Sequence, residues 1–374
     1  MSKAVATKPM TRRALNRALL ARQLLLKRER LQPLAVIERL AGMQAQVPRP
    51  PFVGLWTRLQ KFDPASLLAL ARSRKVVRAT AMRGTIHLLS AKDFLSFRPL
   101  LSATLARGAW AIAGKRLGAV DVKPFYEVGR AFFGKNEAPF EDLRGALERK
   151  FPNRDVRAMA YVVRMGIPLV MVPTDDDRWG WPANAAFTLA DTWLGKRTPL
   201  DPPPIESMVR RYLAAFGPAT PGDAQTWSGI PGMREVFERL RPKLVTFRDD
   251  RKRELFDLPD APRPDENTPA PVRFLPEYDN VVLSHDDRTR IIANEHRGEL
   301  ILKNLVVVGS FTVDGFIAGT WKVEVKVKKE AALTLTPFAA LPKKAAAEVT
   351  AEAERLLEFL EPDNPKRTVK LTRA

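Results

Sequence analysis

At 374 residues, with 45% hydrophobic residues and no apolar run long enough for a membrane-spanning helix, the chain has material for two or three buried cores. Its 62 Lys and Arg against 42 Asp and Glu give a formal charge of +20, which favours phosphate-bearing partners. Cysteine is absent and histidine is limited to His87, His285 and His296, which excludes disulfides, thiolate zinc and iron–sulfur clusters and leaves no metal or cofactor to expect.

Nucleic acid is the first partner to consider; a membrane surface ranks lower, since no basic amphipathic helix or lipidation signal stands out. The basic N-terminus lacks an apolar segment followed by a cleavage site, so the expected setting is the cytoplasm, associated with the nucleoid, and the expected state is a monomer.

In chain order, Leu15, Leu19, Leu20 and Leu24 recur at helical spacing within 11–30, and a second helix is predicted from Pro33 to about Met43. PPFVGLWTRL and DPASLLALARS predict two more helices, the latter capped by Asp63 ahead of Pro64. KVVRATAM and TIHLLS are β-branched runs joined by Arg83-Gly84, which predicts a hairpin. Helices followed by a two-stranded hairpin make the pattern of a winged helix.

The pattern recurs. Helices are predicted over 124–134, 140–150 and 155–165 with strands in IPLVMVP and NAAFTLA, and again over 205–216, 221–229 and 232–240 with strands in KLVTFRD and RELFDLP. The proline-rich stretch 259–271, PDAPRPDENTPAP, reads as an exposed linker. VRFLPEYDNVVL, the run from Glu299 to Val327 and ALTLTPF alternate apolar and polar residues, with Asp314-Gly315 as a hairpin turn, and an amphipathic helix follows. The expected class is α+β. Three tandem winged-helix modules at 1–110, 111–198 and 199–258 lead through the linker to a mainly antiparallel β domain at 272–374, closed by an α-helix.

No P-loop, GxGxxG, HExxH, GxSxG or EF-hand pattern is present. Asp175-Asp176-Asp177 lies between two expected strands and reads as a solvated turn; Asp286-Asp287 is the other acidic stretch. Arg178, Trp179 and Trp181 could stack on nucleic acid, although such tryptophans more often close an interface. Arg83, Thr85 and His87 alternate along the first hairpin, so they are expected on one face, either holding DNA or serving the hairpin itself.

Gln44 and Gln46 flank Ala45 just before Pro48, Pro50 and Pro51. On a continuous helix residues two apart point roughly 200° from one another, but the prolines forbid continuation. If the helix ends near Gln44 the two amides can converge; the alternative is that they cap stray carbonyls.

The chain resembles the bacterial winged-helix DNA glycosylase family, the helix-turn-helix group that includes enzymes conferring self-resistance to DNA-alkylating and crosslinking antibiotics such as azinomycin. The resemblance is carried by the stretch from Ala21 through Gln44-Ala45-Gln46 to Leu59 and by RATAMRGTIHLLSAKDF, RRYLAAFGPATPGDAQTWSG, FLPEYDNVVLSHDDR and VDGFIAGTW. It implies a concave basic surface for duplex DNA and a catalytic motif of glutamine, an apolar residue, then glutamine or aspartate. Gln44 and Gln46 match the glutamine version and are the implied catalytic pair, with Arg49, Arg83, Thr85 and His87 expected to hold DNA. The expected activity is that of a monofunctional glycosylase hydrolysing the N-glycosidic bond of cationic N7- or N3-alkylpurines, extending to bulky adducts or interstrand crosslinks. A non-catalytic DNA-binding regulator or lesion sensor is the alternative, and shape-directed RNA binding ranks last.

Overall fold

Residues 9–326 and 329–372 are described by a computed structural model. The first helix, α1 (Arg12–Arg22), starts where the Thr11 side chain accepts a hydrogen bond from Ala14 N, and it buries Leu15, Ala18 and Leu19. Helix α2 (Pro33–Arg39) stops earlier than its prolines suggest. Ala41 (φ +55°) and Gly42 (φ +93°) turn the chain out of the helical region, and a Cβ on Gly42 would lie 2.4 Å from the Leu89 side chain. Two residues of strand β1 (Met43–Gln44) follow, then α3 (Pro50–Arg58), α4 (Pro64–Arg72) and the hairpin of β2 (Val76–Thr80) and β3 (Ile86–Ser90).

A continuous helix, α5 (Ala91–Leu117), leaves β3, so the boundary expected after residue 110 falls inside one helix. The second stretch contains α6 (Lys123–Phe133), β4 (Ala138–Pro139), α7 (Phe140–Lys150), α8 (Val156–Gly166), β5 (Leu169–Met171), β6 (Ala186–Leu189) and α9 (Ala190–Leu194). Its hairpin does not stand alone: Arg78 and Ala79 of β2 pair with Met171 and Val170 of β5. The result is one six-stranded antiparallel sheet, ordered β1-β3-β2-β5-β6-β4, shared by the first two stretches, where separate modules were expected.

The third stretch holds α10 (Ile205–Phe216), α11 (Pro221–Ser228), α12 (Met233–Leu240) and its own hairpin, β7 (Val245–Arg248) and β8 (Glu254–Asp257). Helix α11 begins with a reciprocal cap in which Thr220 and Asp223 each bond the other's backbone N–H. Tyr212, Phe216 and Trp227 form its core, with ring centroids 5.3 to 5.9 Å apart. Arg22 of α1 reaches Asp257 through two hydrogen bonds of 2.7 Å, both side chains fully buried.

The stretch 259–271 has no regular structure, but it is not a free linker. Arg13, Arg17 and Arg22, one turn or so apart on α1, donate to the carbonyls of Glu266, Thr268 and Pro262 and strap it down.

In the last unit β9 (Arg273–Leu275) is followed by two short helices, α13 (Asn280–Leu283) and α14 (Arg297–Leu300). The apolar end of VRFLPEYDNVVL is therefore helical rather than extended, because Asp279 caps it by accepting from Val281 N. Strands β10 (Ser310–Val313) and β11 (Phe316–Lys326) turn at Asp314-Gly315 as expected, β12 (Glu330–Pro337) pairs with β11, and α15 (Lys343–Leu360) follows. A terminal strand, β13 (Arg367–Leu371), runs parallel to β12 and completes a five-stranded sheet, β13-β12-β11-β10-β9. Val349, Ala353, Leu356, Leu357 and Leu360 of α15 cover its face over Phe274, Trp321, Leu333 and Leu335. The chain thus has the α+β class with mainly antiparallel sheets, the β12–β13 pair being parallel. Among the described residues no helix is long and apolar enough to cross a membrane.

Candidate active site

The two glutamines sit on the edge of the six-stranded sheet, not at a helix end. Gln44 is paired with His87, and Ala45 N donates to Ile86 O at 2.8 Å, so the ladder extends past the last residue of β1. Strand alternation then places Gln44 and Gln46 on one side and the fully buried Ala45 on the other. Their placement on one side comes from an extended backbone, in place of the helix end expected near Gln44.

Each amide is fixed by a partner that can only donate. Arg83 Nη2 donates to Gln44 Oε1 at 2.8 Å, and the backbone N–H of Ile86 donates to Gln46 Oε1 at 3.2 Å. Gln44 is 7% exposed, whereas Gln46 lies open to solvent. Arg78, from β2, holds the backbone between them, donating through Nε to Ala45 O at 3.0 Å and through Nη2 to Gln46 O at 3.3 Å. Burial, reinforced by Arg164 and opposed by Asp177, pushes the Arg78 guanidinium down to about 10.

Arg83 and Thr85 lie in the turn between β2 and β3 rather than on a strand face. Arg83 adopts φ +55°, and its Nη1 donates to Trp227 O at the end of α11. Burial and the nearby charge of Arg288 push it down to about 10. Thr85 Oγ1 donates to Met82 O at 3.1 Å. His87 is interior, 2% exposed, with Nδ1 bonded to Thr85 O at 3.1 Å. Burial first, then Arg83, pushes its imidazole down to about 3, so at neutral pH it is an uncharged core residue and not a phosphate contact. Arg49 is also committed: its guanidinium pairs with Glu277 and lies over the Trp321 ring, 5.9 Å from the centroid. Of the four expected DNA contacts, the structure brings Arg83 and His87 to Gln44 and ties Arg49 to the last unit.

Besides Arg78, further participants were not singled out from the sequence. Asn280 Nδ2 donates to Gly42 O at 2.7 Å, and Arg58 of α3 grips Asp279 through two buried bonds of 2.9 Å. Together these dock Pro276–Asn280 beside β1, leaving a crevice of about 10 Å³ lined by Gln44, Glu277, Tyr278 and Asn280. That is near the lower limit for one water molecule, roughly one probe sphere. Tyr278 holds φ +60°, a conformation non-glycine residues reach at a cost. The signal available was Asp279-Asn280 as a helix start just after a strand.

The remaining candidates are structural. Asp175 pairs with Arg72, and Asp177 accepts from Trp179 N at 2.8 Å, as a turn requires. Trp179 packs on Phe52 at 5.0 Å, Trp181 Nε1 donates to Met171 O at 3.2 Å, and Arg178 lies 4.6 Å over Trp179 while reaching Glu361. This cluster closes an interface of the second stretch with α3 and with the last unit. Asp287 accepts from Arg251 and Arg253 at 3.0 and 2.8 Å, and His285 is buried against Phe216 O. Among the described residues no three His, Asp or Glu side chains are grouped to hold a metal ion.

Comparison with known proteins places these features in context. Residues 37–359 match the family described as DNA glycosylase AlkZ-like. An interstrand DNA cross-link repair glycosylase of Streptomyces sahachiroi is 25% identical over 334 residues, covering 83% of this chain and 86% of that protein. The solved structure of Streptomyces sahachiroi DNA glycosylase AlkZ superposes with a TM-score of 0.76 at 20% identity, covering 98% of this chain and all of that one, which shows a shared fold.

Proposed function

Because the chain belongs to the AlkZ-like DNA glycosylase family, we propose that Gln44 and Gln46 direct hydrolysis of the N-glycosidic bond of cationic N7- or N3-alkylpurines in duplex DNA, including bulky adducts and interstrand crosslinks. Family membership sets aside the regulator reading, since the family is one of enzymes. The crosslink part leans on the named activity of the Streptomyces relative.

One observation carries the reading: two amides on one side of an edge strand, each anchored through its Oε1, with a crevice at the lower limit for one water molecule beside Gln44. An amide does not take up a proton at neutral pH, so neither glutamine is a strong general base. Each carbonyl keeps one free lone pair and each amide two N–H groups, which suffices to hold a water or steady a leaving group. An N7- or N3-alkylated purine already carries positive charge and departs neutral. Positioning water against an oxocarbenium-like sugar then supplies what remains of the barrier.

The test is base release from a duplex carrying one N7-methylguanine, scored as alkali-labile strand cleavage, beside the same duplex carrying hypoxanthine. Release of N7-methylguanine with hypoxanthine left in place is expected. No release from any alkylated duplex would overturn the proposal.

A further inference from the structure

We infer that Arg83 is a positioning residue that fixes Gln44 as a hydrogen-bond donor, which makes the two glutamines chemically unequal; the inference rests on the reading of Gln44 as catalytic. A guanidinium has donors only, so the Gln44 atom facing Arg83 Nη2 at 2.8 Å is the carbonyl oxygen, and the amide nitrogen is turned the other way. No protein group among the described residues accepts from that nitrogen. Gln46 is anchored by a neutral backbone N–H at the longer distance of 3.2 Å and is open to solvent, so its carbonyl keeps more freedom to accept from water.

Arg83 is itself clamped. Its Nη1 donates to Trp227 O, its backbone holds φ +55°, and Gly229, at φ +78°, packs beside it, a Cβ there standing in ordinary contact 3.4 Å from Arg83 Cα. Strain of this kind persists where the surroundings over-determine a side chain. The end of α11 thereby reaches the catalytic strand through a single guanidinium. Arg83 remains protonated at neutral pH, and its charge, half-buried beside Gln44 Oε1, polarises the amide and strengthens its N–H donors.

In the reaction the bond from C1′ to the purine nitrogen breaks, and its electron pair stays on that nitrogen, cancelling the positive charge of the alkylated base. Water oxygen bonds C1′ and releases its proton to solvent. Gln44 donates an N–H to the purine as it gains that electron density, and Gln46 orients the water.

Gln44→Glu separates the roles. A carboxylate has no N–H and pairs with Arg83, so a donor role predicts a single-turnover rate on N7-methylguanine duplex lowered about 100-fold. A rate equal to or above wild type would show that Gln44 accepts, and would overturn the inference. Arg83→Met is expected to lower the same rate about tenfold or more while DNA affinity stays within about twofold, with Arg83→Lys recovering part of the rate. Weaker binding with an unchanged rate at saturation would make Arg83 a phosphate contact instead. If Arg83→Met fails to fold, Gln44→Glu decides alone, because it leaves the bond from Arg83 to Trp227 O in place. A fully active Gln44→Ala/Gln46→Ala protein would instead remove the catalytic reading itself, a different outcome from either.

Discussion

Substitution of His87 by asparagine tests whether the hairpin beneath the glutamines is a sealed core or a DNA-facing surface. His87 is 2% exposed, and burial with Arg83 takes its imidazole from 6.5 down to about 3. Its Nδ1 carries the proton, because the Thr85 carbonyl it meets at 3.1 Å only accepts; asparagine keeps a donor for that carbonyl. The folded value lies below the unfolded one, so as pH falls the unfolded chain binds its proton first. The stability contribution is therefore complete above pH 6.5 and is lost as pH falls from there toward 3. At pH 5, 1.5 pH units below the unfolded value, about 1.36 kcal/mol per pH unit amounts to about 2 kcal/mol. Urea unfolding at pH 7.5 and pH 5.0 reads it directly. Wild type is expected to lose about 2 kcal/mol more than His87→Asn between the two, while DNA affinity at neutral pH is unchanged. Equal pH dependence in the two proteins, or a large loss of DNA binding in the variant, would refute the burial argument.

Asp279→Ala leaves Arg58 charged and buried without its partner, and urea unfolding is expected to show a loss of about 3–5 kcal/mol, largely restored by the apolar pair Arg58→Met/Asp279→Leu. If the single variant costs less than about 1 kcal/mol, the docking of Pro276–Asn280 beside β1 does not depend on this pair. Gly42→Ala places a methyl 2.4 Å from the Leu89 side chain at φ +93°, so thermal unfolding should register a loss of about 1–3 kcal/mol; no change would mean that the turn into β1 is looser than described. With a formal charge of +20, duplex binding should weaken steeply with salt, the logarithm of affinity falling linearly at about 0.9 per phosphate neutralised, and a flat response in a salt titration would contradict electrostatic docking.

What the sequence disclosed was local. Helices with strong start signals, Asp63 before Pro64 or Thr220-Pro221-Gly222-Asp223, lie where their caps put them, and the hairpins follow their β-branched runs. What it concealed was pairing at a distance. Strand β1 has two residues and no periodicity of its own; it exists because Met43 and Gln44 find Leu88 and His87 across the edge of β3. The stop signal for α2 was present in Gly42, but the downstream prolines suggested a later end. Strand β13 pairs parallel to β12 across an intervening helix, which no short-range pattern announces. Arginine was the residue most easily misread: as formal charge it suggests a DNA-facing surface, yet Arg17, Arg22, Arg58 and Arg98 are almost fully buried, and Arg78 and Arg83 are spent on holding the motif. The glutamine pair was legible as a candidate. The guanidinium that divides its chemistry was not, since it depends on a turn at positive φ meeting the end of α11.

The central claim is that Gln44 and Gln46 perform the glycosylase chemistry, and one experiment reaches it. Wild type and Gln44→Ala/Gln46→Ala are compared under single-turnover conditions on a duplex carrying N7-methylguanine, with urea midpoints and duplex affinity measured on the same preparations. The structure predicts a double variant that folds, binds DNA about as tightly as wild type and releases base at least about 100-fold more slowly. Full base release by the double variant would contradict the account.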